Sequence, residues 1–170
     1  MRPVASLPAA TDKEVESMAV ITVSRTYGLF MEEILQKFAE RNKLDIFSHQ
    51  LLMEVAKSVQ QPLDKIEDLY RKGNVIIIGR GSQIILRNYP DVIHLRFDAS
   101  PEYRIRQVMK KEKISAEEAE EKVKKIDRKR RDYISYFYGK KVDSPDLYDM
   151  IINVERLRGK ALGKVLQSLV

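Results

Sequence analysis

Three segments of the chain offer residues that could do chemistry. In Gly79-Arg80-Gly81-Ser82, which follows the apolar run Val75 to Ile78, an arginine stands between two glycines. The glycines leave a backbone free to approach a ligand closely, and a guanidinium fork matches phosphate oxygens in pairs. A tight turn with a solvent-facing arginine is the plain alternative. The second segment is basic: Lys122, Lys124, Lys125, Arg128, Lys129, Arg130 and Arg131 stand against the single acid Asp127. Helical spacing puts Asp127 and Arg131 one turn apart, close enough to pair. Arginines so placed, Arg128 and Arg131, suit the neutralisation of charge on a transferring phosphoryl group, whereas a solvated helix face with a surface ion pair requires nothing of them. The third segment, Ser24-Arg25-Thr26-Tyr27-Gly28-Leu29-Phe30-Met31-Glu32, follows another apolar run. A loop that wraps phosphate needs consecutive N–H groups, glycines and a lysine. Here Gly28 is the one glycine, and no Gly-Lys-Ser/Thr occurs in the chain. Taken alone, the stretch reads as a strand-to-helix turn, with Phe30 and Met31 as core or groove residues.

The elements that must position these segments alternate. Residues 19–23, 44–47, 75–78, 92–97 and 150–154 are short, mostly apolar and β-branched runs, the pattern of buried strands. Between them lie helical stripes. Met31, Ile34, Leu35 and Phe38 share one face, and Ser48 is placed to cap a helix through Leu51, Leu52, Val55, Ala56 and Val59. Pro62 opens a helix through Ile66, Leu69 and Tyr70, stopped at Gly73-Asn74, and a short helix spans Ile84 to Leu86. Ser100-Pro101-Glu102 is a helix-start signal, and Ser115 with Glu118 forms a capping box for a longer helix. The apolar stripe of that helix reads Ala119, Val123, Ile126, Tyr133 and Phe137, and Leu162, Val165, Leu166 and Leu169 stripe a terminal helix. The alternation predicts an α/β fold, a mostly parallel sheet of about five strands with helices on both faces. Ligands bind such sheets outside the carboxyl ends of the strands, which directs attention to Ser24 to Gly28, Gly79 to Ser82, and Asp98.

Composition is ordinary for one globular domain: 170 residues, 44% hydrophobic and 33% charged. The sequence predicts a flexible tail over residues 1–17, without the plan of a secretory signal, and a domain over 18–170. No run nears the ~20 apolar residues of a membrane span. The absence of cysteine excludes disulfides and thiolate metal sites and fits a cytoplasmic protein. His49 reads as a helix-start residue and His94 as a structural mid-strand residue, so no zinc site is expected. The net charge of +6, concentrated between Lys122 and Arg131, points to an anionic partner such as nucleotide phosphates or nucleic acid.

The motifs together resemble the cytidylate kinase-like family. Val20-Ile21-Thr22-Val23-Ser24-Arg25-Thr26-Tyr27-Gly28 is similar to that family's opening, roughly I-S-R-Q-Y-G-S-G-G-R-E-I. Val75-Ile76-Ile77-Ile78-Gly79-Arg80-Gly81 with Ile85-Leu86 resembles its V-I-V-G-R-G-A and following I-L. Pro101-Glu102-Tyr103-Arg104-Ile105 and Val108-Met109 resemble its next helix. Asp127, Arg131, Tyr133, Phe137, Gly139-Lys140 and Tyr148-Asp149 through Asn153 resemble its D-x-x-R-x-Y…F-x-G-K…Y-D-x-x-I-N. The likeness runs in order from 18 to 170. It implies a three-layer P-loop kinase-like fold, ATP and magnesium as ligands, and phosphoryl transfer to a nucleoside monophosphate such as CMP. It further implies Ser24, Arg25, Gly28, Arg80 and Gly81 as nucleotide or phosphate contacts and Asp127, Arg128 and Arg131 as catalytic lid residues.

The departures are as specific. Leu29, Phe30, Met31 and Glu32 stand where the family shows S-G-G-R, so two glycines become bulky and a cation becomes an anion. Ser48-His49 replaces a typical Asp-Arg pair, and Gln60 to Lys72 is shorter than the family's monophosphate-binding insert. The expectation is a kinase-fold protein with weak or lost phosphotransferase activity, holding a nucleotide, another phosphate-bearing ligand or a protein partner. An active CMP-type kinase is the alternative. A nucleic-acid module working through the basic helix ranks last, because the basic face shows no interleaved aromatics.

Overall fold

The computed structural model describes residues 18–48, 62–79 and 81–170. The expected tail, the helix expected after Ser48, His49 and Arg80 lie outside the described residues. Five strands form one sheet in the order β2-β3-β1-β4-β5: β1 Val20–Arg25, β2 Asp45–Ser48, β3 Val75–Ile78, β4 Val92–Asp98 and β5 Met150–Asn153. Every ladder is parallel, with β1 central, Val20 opposite both Val75 and Val92.

Alternation along the strands sorts side chains onto two faces. On one, Ile21, Val23, Ile76, Ile78, Leu95, Phe97 and Ile152 pack against helix α1 (Glu32–Asn42) through Leu35 and Phe38. The C-terminal helix joins this face through Leu162 and Leu166. On the other face Val20, Val75, Ile77 and Val92 meet Ile66 and Leu69 of α2 (Pro62–Lys72) and Leu86, just after the short α3 (Ser82–Ile85). A third cluster joins α4 (Pro101–Glu112) to α5 (Ala116–Tyr138) through Val108, Ala119 and Val123. The last helix is α6 (Lys160–Gln167). Among the described residues no helix is long and apolar enough to cross a membrane.

Both expected helix starts are present. Ser100 Oγ accepts from the Tyr103 N–H ahead of Pro101, and Ser115 with Glu118 closes a capping box. Some boundaries, and one buried position, differ from the sequence reading. β1 runs on to Arg25 because the seven-residue β4 supplies partners as far as Ser24↔Arg96 and Arg25↔Phe97. Ser48 is the last residue of β2, paired with Ile78. Phe137, expected on the buried stripe of α5, is 61% exposed, and Ile134 is the residue buried near that end. The cause is geometric. Arg104, in the first turn of α4, already faces Asp127, so the later turns of α5 rise past the end of α4.

Candidate functional site

The sheet face that is apolar at its base turns polar toward the carboxyl ends. Thr22 and Ser24 of β1 and His94 and Arg96 of β4 are all buried. Thr22 Oγ1 lies 2.7 Å from His94 Nδ1, and the His94 backbone N–H donates to Asp149. Burial pushes the His94 imidazole below its ordinary value against the opposing pull of Asp149. Arg96, 4% exposed, donates to the Val142 carbonyl and to Asp143, each at 2.7 Å, and to Asp98 at 3.2 Å. Its guanidinium stands 5.6 Å over the Tyr148 ring. Burial opposes its charge, but the hydrogen bonds to Tyr148 and Asp143 outweigh it and hold the guanidinium firmly protonated. The Tyr148 hydroxyl donates to the Val142 carbonyl and lies 3.2 Å from Ser24 Oγ.

Helix α5 crosses above these strand ends and lowers Arg130 onto them. Its guanidinium donates to the Arg25 carbonyl and, at 3.0 Å, to Ser24 Oγ. Burial, and then the nearby charge of Arg96, push Arg130 below its ordinary value. Asp127 sits one turn earlier on α5. Its carboxylate takes Arg104 at 2.6 Å and the Tyr27 N–H at 3.2 Å, so it anchors α4 and the loop rather than pairing with Arg131.

The loop after β1 is packed with side chains. Leu29 and Met31 are each 4% exposed within the core beside α1, and Phe30 packs on the α4–α5 cluster. Gly28 has φ +90°, and a Cβ there would come within 2.9 Å of the Arg104 carbonyl, so its freedom serves close packing against α4. The Met31 N–H is turned back onto the Leu29 carbonyl. Glu32, in the first turn of α1, pairs with Arg25 at 2.7 Å.

Two cavities flank Arg130. The larger, about 590 Å³, is lined by Ser24, Arg25, Gly28, Gly81, Gln83, Lys129 and Tyr133, among others, within the ~300–1,000 Å³ usual for small-ligand sites. The smaller, about 270 Å³, is lined by Thr26, Arg96, Asp98, Arg104, Asp127, Arg131 and Asp143 among others. Of the residues expected from sequence, Ser24, Arg25, Gly28 and Gly81 meet in the larger cavity, and Asp127 and Arg131 in the smaller. Arg128 is exposed and lines neither. Arg130, which lines both, and Arg96, which lines the smaller, are not among the residues the sequence points to. Yet three residues on from Asp127 is Arg130, and a charged residue within the apolar run of β4 was itself a signal.

A parallel sheet in this order, with an arginine-bearing helix over its strand ends, is the α/β architecture of small P-loop kinases. The chain belongs to the cytidylate kinase-like family, whose model matches residues 63–156. It is similar to a cytidylate kinase of Pyrococcus horikoshii, 24% identical over 152 residues, covering 87% of this chain and 78% of that one. A solved structure of an uncharacterized protein from Eubacterium ventriosum superposes with a TM-score of 0.74 at 21% identity, covering 89% of this chain and 96% of the other. Shikimate kinase from Bacteroides thetaiotaomicron gives 0.51 at 11% identity over 89% and 95%. These two structural likenesses establish the fold.

Proposed function

We propose that this chain is a family member that still receives a nucleotide or other phosphate-bearing ligand over its strand ends but transfers phosphoryl groups weakly or not at all. The observation that carries the reading is the loop after β1. Leu29 and Met31 fill the core where a phosphate loop would leave space, and Arg130 occupies the Arg25 carbonyl and the Ser24 hydroxyl. Glu32 adds a carboxylate at the helix N-terminus, the place that otherwise favours phosphate. These residues do not fit the triphosphate of ATP with its magnesium. Arg96, Arg130 and Arg131 nonetheless line the smaller cavity together, and a bound phosphate would offset the burial and the like charge of Arg96 that disfavour the Arg130 cation.

The test is calorimetric titration of the purified protein with ATP, CMP and dCMP, each with magnesium, beside a phosphoryl-transfer assay. ATP should bind no more tightly than about millimolar, with no turnover of CMP. Arg131→Ala should weaken CMP or sulfate binding about tenfold, and Arg128→Ala should leave it unchanged. Magnesium-dependent ATP binding at low micromolar concentration with CMP turnover would instead establish an active kinase.

A further inference from the structure

The last turns of α5 carry an arrangement that meets the rim of the larger cavity at Lys129 and Tyr133 and runs outward beyond it. Tyr136 is 84% exposed and Phe137 61%, with ring centroids 4.9 Å apart. Phe137 also lies 4.7 Å from the Tyr133 ring, so the aromatics form a short row. Lys125, Lys129 and Tyr136 recur at spacings that place them on one face, together with Asp132, and all are exposed. Lys140 and Lys141, also exposed, follow directly after the helix C-cap Gly139. Lys125, Lys129, Lys140 and Lys141 make no ion pair among the described residues, whereas Lys122 and Lys124 are tied to Glu112 and Glu120. From Lys125 to Tyr136 this face extends roughly 16 Å at 1.5 Å per residue.

Rings set in solvent between cations are costly for a surface with no partner, since each ring leaves its apolar faces in water. Their charge complement is a polyanion, and their shape complement is a flat π-face. One ligand class offers both along a flexible chain. We propose that this face binds single-stranded nucleic acid, with bases stacking on Tyr136 and Phe137 and phosphates meeting Lys125, Lys129, Lys140 and Lys141. Stacking tolerates any base and a duplex hides its base faces, so the surface favours single strands with little sequence preference. The absence of interleaved aromatics told against this class in the sequence. The exposure of Tyr136 and Phe137 among the lysines removes that objection.

The test is fluorescence anisotropy of the full chain with labelled oligo(dT), oligo(U) and a duplex, each about 16 nucleotides long, across a salt series. Both single strands should bind more tightly than the duplex at matched salt, and the two separate DNA from RNA as the preferred strand. Tyr136→Leu with Phe137→Leu keeps apolar bulk but removes the π-faces, and should weaken single-strand binding about tenfold or more. Lys140→Gln with Lys141→Gln should lower the salt slope by about 1.4. Lys160→Gln with Lys164→Gln, on α6, should change neither readout. The proposal is overturned if the wild type binds no single strand at low salt. It is equally overturned if the leucine variant, folded by circular dichroism, keeps wild-type affinity, if the duplex binds as tightly, or if anionic phosphatidylserine vesicles bind where oligonucleotides do not.

Discussion

Asp127 is the residue on which the lid and the loop both depend. Its side chain is 13% exposed and that of Arg104 9%, and the same carboxylate receives the Tyr27 N–H. Asp127→Ala strips a buried guanidinium of its counter-charge, leaving it the Tyr27 carbonyl alone, and leaves the Tyr27 N–H without its acceptor; it should cost about 3–5 kcal/mol in urea denaturation. His94 makes a pH prediction. Burial disfavours the charged imidazole in the fold, whereas the unfolded chain takes up a proton near its ordinary value of about 6.5. The unfolded state therefore binds more protons as pH falls, and stability declines from about pH 6.5 downward. A urea-denaturation series between about pH 7.5 and 5.5 should show that decline, and His94→Asn should lack that slope. Single residues were the least legible part of the sequence. The helix 116–138 displays cations on nearly every side, and only the crossing of α5 over β1 picks Arg130 from among them. Likewise Asp127 stands one turn from Arg131, but the partner it takes comes from another helix.

At the scale of elements, the loop after β1 has become part of the core of α1. Leu29→Ala should therefore destabilise the fold by about 2–5 kcal/mol, the usual cost of truncating a buried leucine, read from the midpoint of urea unfolding. Rebuilding a glycine-rich loop with Leu29→Ser, Phe30→Gly, Met31→Gly and Glu32→Arg would remove two core side chains, so ATP affinity could rise only in a fold stabilised elsewhere. The strands were legible because β-branched runs buried on both faces have few other uses, and the starts of α4 and α5 because Ser100-Pro101 and Ser115 with Glu118 are local chemistry. Their ends were not. β1 continues through Ser24 and Arg25 because its neighbour β4 is long. The apolar period of α5 includes Phe137, but the helix outruns the α4 surface that would have covered it. Neither length can be read from the segment itself.

At the scale of the molecule, β1 contributes Ile21 and Val23 to one core and Val20 to the other, so the two faces share their central strand. Unfolding should accordingly be a single transition, with far-ultraviolet circular dichroism and tyrosine fluorescence coinciding along a urea titration; the chain has no tryptophan to dominate the second signal. Separated midpoints would mean that the α4–α5 hairpin opens before the sheet. The order of the sheet was foreseeable only as a class, since alternation of strands and helices dictates parallel pairing without saying which strand takes the centre.

That central position has a consequence for how the chain is made. β1 leaves the ribosome first, yet both its neighbours, β3 through Val75 and β4 through Val92, are synthesised much later. Until then Val20, Ile21 and Val23 have no strand beside them, and no hairpin elsewhere in the sheet can form early to shelter them. Such non-local pairing must close long loops before any contact rewards it, so it is slow, and it leaves a nascent apolar strand open to wrong partners. The same arrangement that puts Ser24 and Arg25 at the middle of the site makes their strand the one most in need of protection during synthesis.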